Sequence, residues 1–280
     1  MRRILSWMQQ DFAGRGIESA RLDAELLLAK ALGLPRMNLY LDLDRPLAPE
    51  ERGAARALVQ RRRSHEPVAY ILGERAFYKH TFAVSPAVLV PRPDTETLVE
   101  RALARLADDS PGPVLDVGTG SGCIGLSLLA ERPALRADLV DLSPEALAVA
   151  RDNAARLEVA ERARFLEGDL LEPAEGPYAL IASNPPYLRR DELETVAPDV
   201  RDHEPHLALV AGADGLEVHR RLVTAAPAVL RPGGALLVEV GAGQAAEVRR
   251  LLEGAGFRDL AVYRDLGGID RVVEGVLPGA

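Results

Sequence analysis

The stretch Val114-Leu115-Asp116-Val117-Gly118-Thr119-Gly120-Ser121-Gly122 decides the fold. Its first four residues read as a short buried strand, and a helix opens at Cys123. A glycine turn between strand and helix lets a ligand lie against bare backbone at the carboxyl edge of a sheet. Three glycines in five residues weaken the adjoining helix, which makes a purely structural turn the poorer explanation. Gly120, Gly122 and Gly125 also satisfy G-x-G-x-x-G. Asp141 follows about 20 residues on, where a ribose-binding acid belongs. Either a dinucleotide or another nucleoside cofactor suits this loop.

Working outward from the loop, short apolar strands alternate with helices after Pro113. The expected strands are 114–117, 137–140, 164–167, 178–182, 235–240, 260–263 and 272–276. One helix runs over 144–157, with Ser143 as N-cap and Pro144 at the first helical position. Another runs over 244–252 and is closed by Gly254 and Gly256. Repeated strand–helix alternation means a mostly parallel sheet of seven strands covered on both faces, the α/β class.

The first 74 residues read differently. Ile4, Leu5, Met8 and Phe12 recur at helical spacing, as do Leu22, Leu26 and Ala29 before Gly33. A third helix begins near Pro49-Glu50-Glu51, turns Ala55, Leu58 and Val59 inward, and ends in Arg61-Arg62-Arg63. Those arginines either complement the helix C-terminus or touch a partner. Trp7 is assigned to this domain's core. Residues 75–90 are strand-like, through Phe77, Tyr78, Phe82, Val84 and Val88–Val90, and read as a β-hairpin linker. The expected organisation is a helical substrate-docking domain over 1–74, the hairpin over 75–90, and a catalytic domain over 91–280.

Composition narrows the function classes. With 34 Lys and Arg against 42 Asp and Glu, the net charge is −8, the wrong balance for coating nucleic acid. Residues 1–75 are net +3 and the remainder net −11, which suits two units with different jobs. A single cysteine, Cys123, rules out an intrachain disulfide and suits a reducing compartment. No run approaches the roughly 18 apolar residues of a membrane helix, and the N-terminus lacks a cleavage pattern. A cytoplasmic globular protein with no membrane partner is expected.

Asn184-Pro185-Pro186-Tyr187, at the end of the fourth strand, selects the chemistry. Two prolines stiffen the backbone and aim the preceding carbonyls outward. Asn184 adds an acceptor oxygen and Tyr187 a flat face. This makes a socket for a planar –NH2 group, with two oxygens accepting its two hydrogens and a ring against its plane. Such a nitrogen is a poor nucleophile because its lone pair is delocalised. Acceptors around its hydrogens favour the positive charge that develops as it attacks. Asp141 at the second strand's end can accept both hydrogen bonds from a ribose diol. Asp169 with Leu170 at the third could meet an adenine, although for Asp169 an ordinary strand-end turn explains it equally well.

On these residues the chain resembles the HemK/PrmC family of class I S-adenosylmethionine-dependent methyltransferases, which methylate the N5 amide nitrogen of the Gly-Gly-Gln glutamine in peptide chain release factors. The glycine loop and Asn184–Tyr187 specify only the reaction class. Val90-Pro91-Arg92-Pro93-Asp94-Thr95-Glu96 narrows the match, and Glu204-Pro205 with Gly212-Ala213-Asp214-Gly215-Leu216 adds to it. The resemblance implies a Rossmann-like methyltransferase sheet and S-adenosyl-L-methionine as cofactor, released as S-adenosyl-L-homocysteine. Gly118, Thr119, Gly120, Ser121 and Gly122 would line its methionine and ribose. Asp141 would hold the ribose hydroxyls, Asp169 with Leu170 would meet the adenine, and Asn184 would also touch the cofactor. Leu170 stands where several members carry an aromatic residue. Asn184 and the Pro185 carbonyl would hold the glutamine amide, with Pro186 and Tyr187 shaping its slot. Arg92 and Glu96 either close the substrate side or pin the hairpin to the sheet.

Other features are set aside. Pro205 prevents the regular helix that would align His203 with His206 as metal ligands, so no metal is expected. Cys123 is read as a small packing residue. The expected partner is a release factor, with no direct need for nucleic acid, and the chain is expected to be a monomer. Two other readings use the same socket, a ribosomal-protein glutamine methyltransferase and an adenine-N6 methyltransferase of nucleic acid. Net charge and the lack of a base-reading module weigh against the second.

Overall fold

The computed structural model describes residues 1–107 and 112–279, which fall into two compact units. The first comprises Met1–Glu74 with Ala197–His203, and the second Arg75–Val196 with Glu204–Ala280. In chain order the elements are α1 (Arg2–Ala13), α2 (Ala20–Leu32), α3 (Pro49–Arg63), α4 (Val68–Leu72), β1 (Glu74–Phe77) and β2 (His80–Ala83). They continue with α5 (Glu96–Arg105), β3 (Val114–Val117), α6 (Cys123–Glu131), β4 (Ala137–Asp141), α7 (Pro144–Arg156) and β5 (Ala163–Glu167). The last are β6 (Tyr178–Ser183), α8 (Pro198–His203), α9 (Glu217–Ala225), β7 (Leu230–Glu239), α10 (Ala245–Gly254), β8 (Arg258–Arg264) and β9 (Asp270–Val276). Among the described residues, no helix is long and apolar enough to cross a membrane.

In the first unit, Leu5, Met8 and Phe12 of α1 join Ala24, Leu27 and Leu28 of α2 and Ala55 and Val59 of α3 in one core. Two sequence expectations fail here. Trp7 is 49% exposed, because it lies off the Leu5–Met8–Phe12 stripe, and the Arg63 guanidinium covers its ring instead. Leu22 is also exposed. The stripe α2 buries is rotated toward Ala24, Leu27 and Leu28, and it carries Asp23 inward too. The three arginines ending α3 pair with acids of the same unit. Arg61 meets Glu66, Arg63 meets Asp11 at 2.6 Å, and buried Arg62 meets buried Asp23 at 2.7 Å.

The second unit is built on a seven-stranded sheet in the order β5-β4-β3-β6-β7-β9-β8. Strands β5 through β7 pair in parallel, and β9 runs antiparallel to β7 and β8. The expected α/β class and mostly parallel sheet are therefore present. Alternate residues enter opposite cores, which is why the central strands are mostly apolar on both faces. Val114, Leu180 and Ala182 face the core with Leu98, Val99 and Leu126. Leu115, Val117 and Ile181 face the one with Leu222 and Val248.

The hairpin stops at Ala83, and Val88–Val90 form no strand. Pro86 and Pro91 bracket that segment and each removes a ladder donor. Gly254 lies inside α10 rather than beyond it. Strand order reverses between β3 and β6, so a crevice opens at their carboxyl ends. The loops after β3, β4 and β6 meet there.

Candidate active site

A cavity of about 450 Å³ occupies this crevice, a volume suited to a nucleoside-sized ligand. Gly118 and Gly120 line it with φ of +68° and +55°. A Cβ built on either would meet no atom within 4 Å, so these glycines leave open space on the ligand side as well as permitting left-handed backbone. Gly122 serves differently. It precedes α6 at φ +82°, and a Cβ there would stand 2.6 Å from Leu126 Cδ1.

Two acids hold the loop. The Asp116 Oδ2 accepts the Thr119 hydroxyl at 2.6 Å and the Gly125 amide at 2.9 Å. Burial pushes this carboxyl up to about 6, against the pull of those two bonds. The Asp141 Oδ2 accepts the Gly120 amide at 2.8 Å, and its Oδ1 accepts the Ser143 amide at 3.0 Å. Burial raises the Asp141 carboxyl while these amides oppose it. Each oxygen keeps a second lone pair for a hydroxyl ligand. Ser143 caps α7 as expected, its Oγ accepting from the Ala146 amide at 3.1 Å.

Asp169 and Leu170 line the cavity beyond β5, with Leu170 in left-handed backbone at φ +51°. The Asp169 carboxylate is not free, since Arg221 donates to its Oδ2 at 2.7 Å. On the opposite side, the Ser183 hydroxyl donates to the Val117 carbonyl at 2.8 Å and clips the end of β6 to β3. Asn184 and Pro186 then face the cavity, together with Thr119 and Ser121. Gly122, Pro185 and Tyr187 do not line it. The Tyr187 carbonyl accepts Gln244 Nε2 at 2.9 Å. A Cβ on Gly215, at φ +74°, would stand 2.4 Å from that carbonyl, so the 212–216 segment packs directly behind the motif. Burial lifts the Tyr187 hydroxyl to about 12.

The two charged residues named in the 91–96 loop make different contacts. Glu96 accepts the Tyr78 amide at 3.0 Å and pins the hairpin turn. Arg92 lines the cavity and pairs with buried Glu204, which also accepts the Val90 amide at 3.3 Å. Two cavity-lining residues escape the sequence reading. Arg221 leaves no signal in its helix pattern. Thr95 sits unremarked inside the 91–96 loop. Cys123 is buried with its thiol pushed up, the opposite of an activated cysteine. No group of metal-ligating side chains forms among the described residues.

Comparison with known proteins finds two family matches along the chain. The PrmC N-terminal domain family matches residues 3–73, and the methyltransferase small domain family matches residues 94–200. The Geobacter sulfurreducens release factor glutamine methyltransferase is 46% identical over 276 residues, 98% of this chain and 96% of that protein. The enzyme of the same name from Cereibacter sphaeroides is 47% identical over 268 residues, 96% and 95% of the two chains. The structure of the T. thermophilus 16S rRNA N2 G1207 methyltransferase, in complex with AdoMet and guanosine, shares the fold. Its TM-score is 0.56 at 21% identity, over 73% of this chain and 49% of that one. A methyltransferase sheet, a cavity at its switch point and full-length similarity at this level lead to one conclusion: the chain belongs to the release factor glutamine methyltransferase family.

Proposed function

We propose that this chain transfers a methyl group from S-adenosylmethionine to the side-chain amide nitrogen of the Gly-Gly-Gln glutamine in peptide chain release factors. The observation that carries this reading is the shared cavity. Asn184, a side-chain acceptor held on rigid Pro-Pro backbone, faces the same space as the bare glycine loop and Asp141.

The residues present fit S-adenosylmethionine. Gly118 and Gly120 leave its place clear, Asp141 has lone pairs left for ribose hydroxyls, and Thr119, Ser121, Asp169 and Leu170 complete the wall. When bound, that cofactor supplies an electrophilic sulfonium methyl. The Asn184 Oδ1, which faces the cavity, accepts one amide hydrogen of the glutamine, and the carbonyl of Pro185, which stands between cavity-lining Asn184 and Pro186 without lining the cavity itself, accepts the other. They draw its nitrogen away from planar delocalisation and stabilise the charge that grows on attack. Pro186 and Tyr187 shape the slot, and orientation supplies the rest of the rate. No side chain has to remove a proton first, because the nitrogen becomes acidic only once it carries the new methyl.

The test is transfer of labelled methyl to purified release factor, beside the same factor with the motif glutamine replaced. A ribosomal-protein fraction and total DNA and RNA serve as further substrates. Label that vanishes with the glutamine, and with Asn184→Ala, is the expected result. Label on a ribosomal protein or on nucleic acid alone would overturn the substrate and leave the reaction class standing.

A further inference from the structure

We infer that Gln244 is a positioning residue for methyl transfer, holding the Tyr187 carbonyl so that the Asn184-Pro185-Pro186-Tyr187 turn keeps its form around substrate. This role rests on the proposed reading of that turn as the slot for the substrate amide. Neither proline has an N–H, so the middle of the turn cannot be tied by backbone donation. It is tied at its ends. At the entrance, the Ser183 hydroxyl donates to the Val117 carbonyl at 2.8 Å and Asn184 Nδ2 to Thr95 Oγ1 at 3.2 Å. At the exit, Gln244 Nε2 donates to the Tyr187 carbonyl at 2.9 Å. The chain then leaves along Leu188, whose amide donates to the Leu209 carbonyl at 2.9 Å.

The direction of the Gln244 side-chain amide is fixed by its partners. Its Oε1 accepts the Gly241 amide at 2.9 Å, while its Nε2 serves the Tyr187 carbonyl and, at 3.4 Å, the Gly215 carbonyl. Turned over, the group would set its oxygen against two carbonyls and its NH2 against an N–H, so one orientation alone satisfies all three. The backbone holds the residue in the same place, since the Gln244 amide donates to the Gly241 carbonyl at 3.1 Å. Gln244 stands at the N-cap of α10, yet its side chain makes no capping bond. Ser, Thr, Asp or Asn would serve the helix better there. The side chain is turned instead to the loop after β6.

Two glycines make the room. A Cβ on Gly215 would stand 2.4 Å from the Tyr187 carbonyl oxygen and 2.8 Å from Gln244 Nε2. A Cβ on Gly241 would stand 3.0 Å from Gln244 Oε1 and 3.0 Å from Tyr187 Cδ2. Gly241 is not left-handed, so space rather than backbone conformation asks for glycine there. Bare backbone from two separate loops thus closes around one side-chain amide and the end of the motif. Gln244 does not line the cavity, so it reaches substrate only through Tyr187.

The experiment measures kcat and KM for release-factor methylation from about pH 5.5 to about pH 8.5 in the wild type, Gln244→Met and Gln244→Glu. Thermal midpoints and binding of S-adenosylhomocysteine are measured alongside. Methionine keeps the length of the side chain and removes its three hydrogen bonds. Gln244→Met should lower kcat about ten-fold while leaving KM and the affinity for S-adenosylhomocysteine within about two-fold. In Gln244→Glu, the ionised carboxylate keeps the Gly241 bond but has no donor for the two carbonyls, which raise its pKa. The protonated form donates to Tyr187 as the amide does. Its kcat relative to wild type at the same pH should therefore climb several-fold as pH falls. Ionisable groups of the same segments are Glu239 of β7, Asp214 paired with Arg220, Glu247 paired with Arg250, and the Tyr187 hydroxyl. Wild type and variant share them, so the ratio isolates the substituted side chain.

An unchanged kcat in Gln244→Met, a loss shared equally between kcat and S-adenosylhomocysteine affinity, or a Gln244→Glu ratio that is flat with pH would overturn the role of Gln244 alone. Should Gln244→Met fail to fold, the Gln244→Glu ratio decides. A wild-type chain that binds S-adenosylhomocysteine and methylates no release factor would overturn the substrate reading, and the role of Gln244 with it.

Discussion

The Asp141 carboxylate accepts the Gly120 amide at 2.8 Å, so the acid that ends β4 also holds the glycine loop following β3. One side chain thereby shapes the loop and faces the cavity it encloses. Its second oxygen ties the start of α7 through the Ser143 amide. Removing it disturbs a cofactor site twice, by the lost ribose acceptor and by the loosened loop.

Asp141→Ala should accordingly weaken S-adenosylmethionine binding by about ten-fold or more, the scale of one charge-assisted hydrogen bond. Asp141→Asn, which retains an acceptor, should lose less. Calorimetric titration of both variants checks this, and equal affinity in Asp141→Ala and the wild type would contradict it.

Asn184→Ala should leave cofactor affinity within a few-fold and reduce kcat by about two orders of magnitude, as for loss of a donor or acceptor aimed at developing charge. Asn184→Asp keeps the oxygen but loses the Nδ2 that Thr95 accepts, and should fall between the two. Single-turnover methyl transfer with saturating cofactor separates these outcomes.

Gly215→Ala and Gly33→Ala form a matched pair. Both glycines are left-handed, at φ +74° and +61°, and a Cβ at Gly33 meets nothing within 4 Å. Gly33→Ala should cost about 1 kcal/mol from backbone strain alone. Gly215→Ala must in addition displace the Tyr187 carbonyl, 2.4 Å from the new atom. It should cost more stability and also lower kcat, as read from thermal midpoints and initial rates.

The buried Arg62–Asp23 pair, with side chains 4% and 1% exposed, anchors the core of the helical unit. Arg62→Ala should destabilise the chain by about 3–5 kcal/mol, because it strands a buried carboxylate. The double variant Arg62→Met with Asp23→Leu should recover most of that loss in urea unfolding of the full chain.

Stability should also depend on pH through Asp116. Its carboxyl rises from 3.8 to about 6 on folding, so the folded chain holds that proton more tightly than the unfolded one. The contribution is fully present below about pH 4 and is lost as pH rises through about 6, a change of about 3 kcal/mol. Asp116→Asn removes it. The amide nitrogen can replace Oδ1, which has no partner, while the remaining oxygen keeps Thr119 and Gly125. Thermal midpoints at about pH 5 and about pH 8 should show the variant gaining on the wild type at the higher pH.

Much of this protein is local information. Short apolar runs place the strands from Val114 to Val276, because the central ones, β3, β4, β6 and the second half of β7, are buried on both faces and mostly apolar. The Ser143 cap, the glycine loop and the Pro-Pro turn are equally local, since their backbone preferences act within a few residues. Where strand-like residues lay between prolines, at Val88–Val90, the ladder they lacked could not be read from propensity.

The sequence by itself therefore determined the class of sheet and the residues at its carboxyl edge. Only the tertiary structure decided which of them share a cavity and what holds them in place. Trp7 is outside, Arg221 occupies Asp169, and Thr95 accepts the Asn184 side-chain amide. These facts depend on contacts between residues far apart in the chain. The free energy of a buried hydrogen bond or ion pair is set by what surrounds it, and neighbours in sequence do not carry that information.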